Sequence, residues 1–177
     1  MHTTELVLHY MNALRKTALH RVVSYRRHIL SFRIILGRNC RFTGHGRITL
    51  REGAVLRDGC RIESNGILEI GKGCFLNNNV SITSMQRIVI GDYVSIGNNV
   101  VIVDHDHNYR QNGSDMFMCD DVEIGSGVWI GANTVILKGS RIGNDCVIAA
   151  CSVVKGKVPA NSRFITRRES SIETIQR

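Results

Sequence analysis

Isoleucine or valine recurs at every sixth position over one long stretch of the chain, at Ile124, Ile130, Ile136, Ile142, Ile148 and Val154. A period of six matches neither the 3.6-residue helix nor the simple alternation of a strand. It matches short parallel strands joined by tight corners, each strand burying one aliphatic before the chain turns. Glycine follows Ile124, Ile130 and Ile142, at Gly125, Gly131 and Gly143, and earlier in the chain follows Ile90 and Ile96, at Gly91 and Gly97. The spacing predicts an all-β chain wound as a parallel β-helix.

The repeat reaches further back once small insertions are allowed. Leu50, Leu56 and Ile62 step by six, as do Ile70, Leu76, Ile82 and Ile90, Ile96, Ile102. Between triplets the step is eight, so coils begin at 50, 70 and 90 with two extra residues always at one corner. Leu30, Leu36 and Phe42 fit one coil earlier, more weakly. A second small inward position follows four residues after the first, at Val94, Val100, Val128 and the thiols of Cys40, Cys60, Cys74 and Cys146. Each coil is then a three-faced prism, and stacking buries a continuous aliphatic column that no single coil closes alone. Apolar burial at roughly 25 cal/mol per Å² is the main stabilising term. Corners such as Asn65-Gly66, Gly73, Gly97-Asn98-Asn99 and Gly143-Asn144 suit residues that tolerate positive φ.

A length of 177 residues fits one such domain with a small appendage. The expected division is a basic helical segment over 1–33, a β-helix over 34–160 with an extruded loop at 103–123, and a tail over 161–177. Within residues 1–41, eight basic side chains face Glu5 alone, which accounts for most of the net charge of +8. Leu6, Leu8, Met11, Leu14, Leu19, Val22 and Val23 recur at three- and four-residue intervals, predicting a helix of about 5–29. Its expected role is to cap the open end of the coil. Peripheral contact with anionic lipid is the alternative, and nucleic acid is not an expected partner because no stacking aromatics accompany the charge. No run of about 18 apolar residues and no cleavable signal pattern is present. The expected compartment is therefore the cytoplasm, at the inner membrane face if the helix meets lipid. Six cysteines without CxxC or zinc-ligand spacing read as reduced thiols, four of them inward-facing small hydrophobes.

The step from Ile102 to Ile124 breaks the repeat. The excursion opens Val103-Asp104-His105-Asp106-His107-Asn108-Tyr109-Arg110 and leaves where earlier coils insert two residues. A long loop thrown from a rigid prism is where chemistry is expected.

These segments resemble the left-handed β-helix, hexapeptide-repeat O-acetyltransferases, in particular the branch acting on capsular, exopolysaccharide or lipopolysaccharide sugars, alongside galactoside and maltose acetyltransferases. The residues carrying the resemblance are Ile70-Gly71 to Asn79, Ile90-Gly91 to Tyr109, Val122-Glu123-Ile124-Gly125-Ser126-Gly127-Val128-Trp129-Ile130-Gly131-Ala132, Ile148 to Val154, and Val158-Pro159-Ala160-Asn161. Left-handedness comes from this resemblance, since ordinary crossovers are right-handed. The resemblance also implies acetyl-CoA as acyl donor, a glycan acceptor, a homotrimer with each cleft between subunits, and no metal.

It implies, too, that His105, the first histidine after the strand, is the general base. Imidazole suits the task because it is neutral and basic near pH 7. Asp104 or a backbone carbonyl is expected to hold its other nitrogen, and His107 is either the alternative base or a contact to acceptor or cofactor. Asn77 matches an acceptor-binding Asn of the galactoside enzyme, expected to share the cleft of His105; a left-handed corner is the other reading. Trp129 falls between inward Val128 and Ile130, so its indole points outward as a wall for sugar or pantetheine. Small corners at Gly131, Ala132, Ala149 and Ala150 are expected to lie along the pantetheine, with a backbone N–H near Ala132 as an oxyanion donor. Lys155, Arg163, Arg167 and Arg168 are candidates for the CoA phosphates. Here the chain departs from the family pattern, reading Lys155-Gly156-Lys157 and Phe164-Ile165-Thr166-Arg167. Two alternatives stand beside acetyl transfer to a glycan: a non-catalytic hexapeptide scaffold and an antibiotic acetyltransferase. A zinc carbonic anhydrase on the same coil needs three histidines, and His105 with His107 do not make that set.

Overall fold

The computed structural model describes residues 28–30, 33–108 and 116–167. The expected helix over 5–29 falls outside them, except that His28–Leu30 is a strand paired in parallel with Arg47–Leu50. The first coil thus begins inside the stretch assigned to the helical segment 1–33. Backbone pairing to the next coil satisfies these residues where the apolar spacing alone suggested a helix.

Three parallel sheets form the faces of a prism, and the described residues contain strands and turns but no helix. The architecture is a left-handed parallel β-helix. The first face stacks His28–Leu30, Arg47–Leu50, Ile67–Ile70, Arg87–Ile90, Val122–Ile124, Arg141–Ile142 and Lys157–Val158. The second runs from Ile35–Leu36 through Val55–Leu56, Phe75–Leu76, Ser95–Ile96, Trp129–Ile130 and Val147–Ile148 to Arg163–Phe164. The third runs from Arg41–Thr43 through Arg61–Ser64, Ser81–Ser84, Val101–Val103 and Val135–Ile136 to Val153–Val154. We number the coils 1 to 7 from 28–43, the seventh having two faces.

Every predicted inward aliphatic from Leu36 onward lines the interior or packs against it. Leu50, Leu56, Ile62, Ile70, Leu76, Ile82, Ile90, Ile96, Ile102, Ile130, Ile136, Ile148 and Val154 are all buried, and Phe42 is partly buried. Pairing is in register, so Ile96 lies between Leu76 and Ile130 and Ile102 between Ile82 and Ile136. Cys60, Cys74 and Cys146 are buried as small hydrophobes. Each sulfur also sits against a corner carbonyl of the following coil, at 3.2 Å to Asn77 O, 3.0 Å to Gly91 O and 2.9 Å to Pro159 O. Burial pushes the Cys74 thiol up to about 11. Cys60 moves in the same direction, first through its hydrogen bond with Cys40 and then through burial.

The corners differ in detail from expectation. Positive φ falls on the third residue of a corner rather than on its first glycine. It appears at Asn39, Gly59, Asn79, Asn99, Asn133 and Cys151 between the second and third faces. It appears at Gly53, Gly73, Tyr93, Gly127, Asp145 and Asn161 between the first and second. Gly97 and Gly131 are required for another reason. A Cβ on Gly131 would stand 2.4 Å from Ala150 N, and one on Gly97 2.6 Å from Ala132 N. Asn79, Asn99 and Asn133 form a side-chain ladder, Nδ2 donating to Oδ1 at 3.3 and 3.1 Å.

Candidate active site

The third edge of the prism, between third and first faces, receives the two extra residues of the early coils. The long excursion leaves from the same edge. The inward positions ending the third-face strands of coils 2 and 3 are Ser64 and Ser84, paired in register. Twenty residues on, the same position is Asp104, and it is wholly buried. Burying an ionised carboxylate is costly unless hydrogen bonds replace its water. Coil 3 supplies them: Ser84 Oγ donates to Oδ2 at 3.0 Å, Met85 N to Oδ1 at 2.8 Å and Gln86 N to Oδ2 at 2.8 Å. Asp104 Oδ1 lies 3.3 Å from His105 Nδ1. The choice left open by the sequence, carboxylate or carbonyl, falls to the carboxylate. With Nδ1 engaged, Nε2 is the nitrogen left to act on a substrate. His105's side chain is 15% exposed.

His105–His107 and Phe117–Cys119 pair antiparallel as a hairpin standing off the prism, with His105 opposite Cys119 and His107 opposite Phe117. The Phe117 ring lies edge-on to His105, centroids 5.2 Å apart, and 4.9 Å from His107. Asn108 N donates to Met116 O at 2.8 Å. Tyr109 and Arg110 lie outside the described residues. The apolar run Met116-Phe117-Met118 is split by the strand's alternation. The two methionines are exposed, and the phenylalanine is drawn onto the imidazoles. Lys138, from coil 5, donates to Met118 O at 3.1 Å and lies 3.5 Å from Asp106. Where the chain rejoins the prism, Gln86 Nε2 donates to Asp121 Oδ1 at 2.6 Å. Arg87 pairs with Asp121 and Glu123 there, and Arg141 with Asp120 and Glu123. The returning foot is thereby pinned, while Asp104 anchors the outgoing foot beside His105. Cys119 is no ready nucleophile, because burial and then the Asp104 charge push its thiol upward.

The other predicted residues lie elsewhere. Asn77 stacks beneath Gly97, and Gly97 beneath Gly131, on the edge between second and third faces. Its Oδ1 accepts from Asn78 N at 2.9 Å, and the left-handed residue of this corner is Asn79 rather than Asn77. Gly131, Ala132, Ala149 and Ala150 continue the same edge, with Ala150 exposed. One chain therefore does not bring Asn77 to His105, since a full strand of the third face separates their edges. Trp129 points outward from the second face and is 59% exposed. Lys155 is exposed on the hairpin's edge, two coils beyond the one His105 leaves. Arg163 and Arg167 are described and Arg168 is not. Ser84, Gln86, Phe117 and Lys138 were missed in the sequence reading. The twenty-residue step from Ser64 to Ser84 to Asp104 was the available signal for the first of them. Among the described residues no three His, Cys, Asp or Glu side chains converge as a metal site.

Fold and repeat together define a hexapeptide-repeat β-helix protein. Residues 121–156 match the family model described as bacterial transferase hexapeptide (six repeats). The putative lipopolysaccharide biosynthesis O-acetyl transferase WbbJ of Escherichia coli strain K12 is 49% identical over 41 residues. That match covers 23% of this chain and 21% of WbbJ, so the chain spans about a fifth of the curated relative it matches. A hexapeptide-repeat acetyltransferase of Vibrio cholerae O1 biovar eltor, solved with acetyl coenzyme A, is 27% identical with a TM-score of 0.58. The alignment covers 85% of this chain and 70% of that one. The N-acyltransferase AntD of Bacillus cereus, solved as a mutant with dTDP and coenzyme A, shares the fold at 13% identity. Its TM-score is 0.58, with 89% of each chain covered. The match to the bacterial transferase model covers residues 121–156, and the fold is similar to that of the Vibrio acetyltransferase.

Proposed function

We propose that the protein is an acetyl-CoA-dependent O-acetyltransferase acting on a sugar hydroxyl of a surface polysaccharide or its precursor, in the cytoplasm. The observation that carries this reading is the buried Asp104, fixed by three donors from coil 3 and set against His105 Nδ1. Such a carboxylate holds one tautomer and stabilises the imidazolium that forms when Nε2 accepts a proton. The acetyl-CoA complex of the Vibrio relative and the similarity to WbbJ, a putative lipopolysaccharide biosynthesis O-acetyl transferase, support the donor and the acceptor class.

In this mechanism Nε2 takes the proton of the sugar hydroxyl as that oxygen bonds to the acetyl carbon. The tetrahedral state collapses with cleavage of the C–S bond, and the imidazolium returns the proton to the departing thiolate. Transfer is direct, because the only thiol beside His105 is held as a thiol. Ala132, Ala149 and Ala150 are the residues expected along the pantetheine. Gly131 is small because the next coil passes against it, so its size alone is no evidence for a ligand.

The test is transfer from labelled acetyl-CoA to a panel of surface glycans. His105→Ala is expected to lower kcat by about a hundredfold or more with the fold intact, and His107→Ala to do less. A reversed order reassigns the base to His107. Absence of any turnover makes the protein a non-catalytic scaffold.

A further inference from the structure

The outer side of the third face changes character along the prism. In coils 4 to 6 its outward residues are Val101, Val103, Val135 and Val153. In coils 1 to 3 they are Arg41, Thr43, Arg61, Glu63, Ser81 and Thr83, which line an open depression of about 420 Å³. Arg41 and Arg61 stand directly opposite each other in register. Like charges so placed repel across a spacing of about 4.8 Å. Among the described residues neither has a carboxylate at ion-pair distance, whereas Arg38, Arg47, Arg87 and Arg141 each do. Glu63, in the same depression, accepts from Asn65 Nδ2 at 3.4 Å. Two guanidiniums therefore share one face beside three hydroxyls, and Glu63, the one carboxylate lining the depression, is at ion-pair distance from neither.

The depression leads to the catalytic edge. Thr83 pairs with Val103, two residues before His105. By strand geometry Arg61 lies two coils, about 10 Å, below the level of His105 and four residues, about 13 Å, back along the strand direction. That reach exceeds one sugar ring. We propose that the depression is the seat of a diphosphate, Arg41 and Arg61 each gripping one phosphate of a diphosphate-linked oligosaccharide whose distal sugar lies at His105. The assignment rests on the acetyl-transfer reading for the role of that sugar. Planar guanidiniums grip phosphate oxygens in pairs, and two of them one strand apart match linked phosphates better than a lone carboxylate. Thr43, Ser81 and Thr83 supply hydroxyl donors for the remaining oxygens.

Calorimetric titration of the full chain with inorganic pyrophosphate tests the seat directly, with tri-galacturonate as the carboxylate probe. The Arg41→Gln, Arg61→Gln double variant is expected to weaken pyrophosphate binding tenfold or more. Arg51→Gln, an exposed arginine off this face, should change it less than twofold. Both variants should transfer acetyl to a free sugar at the unmodified rate, which also shows that they are folded. No pyrophosphate binding by the native chain, or an equal loss in Arg51→Gln, overturns the seat even when acetyl transfer is intact. Tighter binding of tri-galacturonate overturns the diphosphate in favour of a uronic acid. Pyrophosphate binding by a chain without acetyltransferase activity overturns the acceptor role instead and leaves an anion site.

Discussion

Asp104 is the side chain on which the candidate site turns. A carboxylate accepts from Ser84, Met85 and Gln86 and still faces His105. An amide has one acceptor oxygen and two hydrogens, so in Asp104→Asn at least one backbone N–H must point at another donor. We expect that variant to lose about 1–3 kcal/mol of stability in denaturant unfolding. Its kcat should fall roughly tenfold to a hundredfold in the folded fraction, since the imidazolium loses its counter-charge. Cys119→Ser should leave kcat within about twofold, because a raised thiol opposite His105 is not the acyl carrier. Accumulation of an acetylated cysteine on the native chain would instead demonstrate a covalent route. His105 and Asp104 were legible in the sequence because they open the one long break in the repeat. Phe117 and Lys138 were not. Phe117 arrives through an antiparallel pairing that no spacing encodes, and Lys138 from a coil beyond the excursion.

At the scale of single strands and corners, the sequence was most informative about what points inward. A six-residue period is a statement about side chains meeting in one column, and burial enforces it at every coil. It says less about corners, where the backbone decides which residue takes the left-handed conformation. Between the second and third faces that residue is Asn79, Asn99, Asn133 and then Cys151. A branched or thiol-bearing L-residue pays a steric cost there that asparagine largely escapes. Asparagine would also extend the amide ladder that Asn99 and Asn133 already form. Cys151→Asn is therefore expected to stabilise the chain by about 1 kcal/mol, read as a higher urea midpoint at unchanged slope. A lower midpoint would show that the thiol's own contacts outweigh the backbone gain.

For the whole molecule, the separation of edges is the informative result. Asn77, Ala132, Ala149 and Ala150 sit on one edge and His105 on another, so a second copy is the simplest way to join them. Exposed Trp129, Met116 and Met118 give such a copy apolar surface to cover. We expect light scattering to report about three times the 19.8 kDa chain mass, and a fully active monomer would refute this. In the sequence the expectation of a trimer rests on family resemblance and on the apolar run Met116, Phe117 and Met118. Solenoid spacing encodes contacts along the stack and carries almost no information about contacts beside it.

The excursion at the third edge has a further consequence, in the cost of chain closure. Elsewhere a strand finds its partner about twenty residues away, while Ile88 pairs with Leu68 on one side and with Val122 on the other. The second of those links spans 34 residues. A flexible loop's entropic cost rises only logarithmically with length, about 0.6 kcal/mol per doubling. That is comparable to losing one methylene from the interior column. With the outgoing foot held through Asp104 and the returning foot by Arg87 and Arg141, chain can be added or removed between Asn108 and Met116 almost without thermodynamic consequence for the prism. The hairpin that carries His105 is thus the element freest to vary in length, so closely related chains can remodel it while keeping one scaffold.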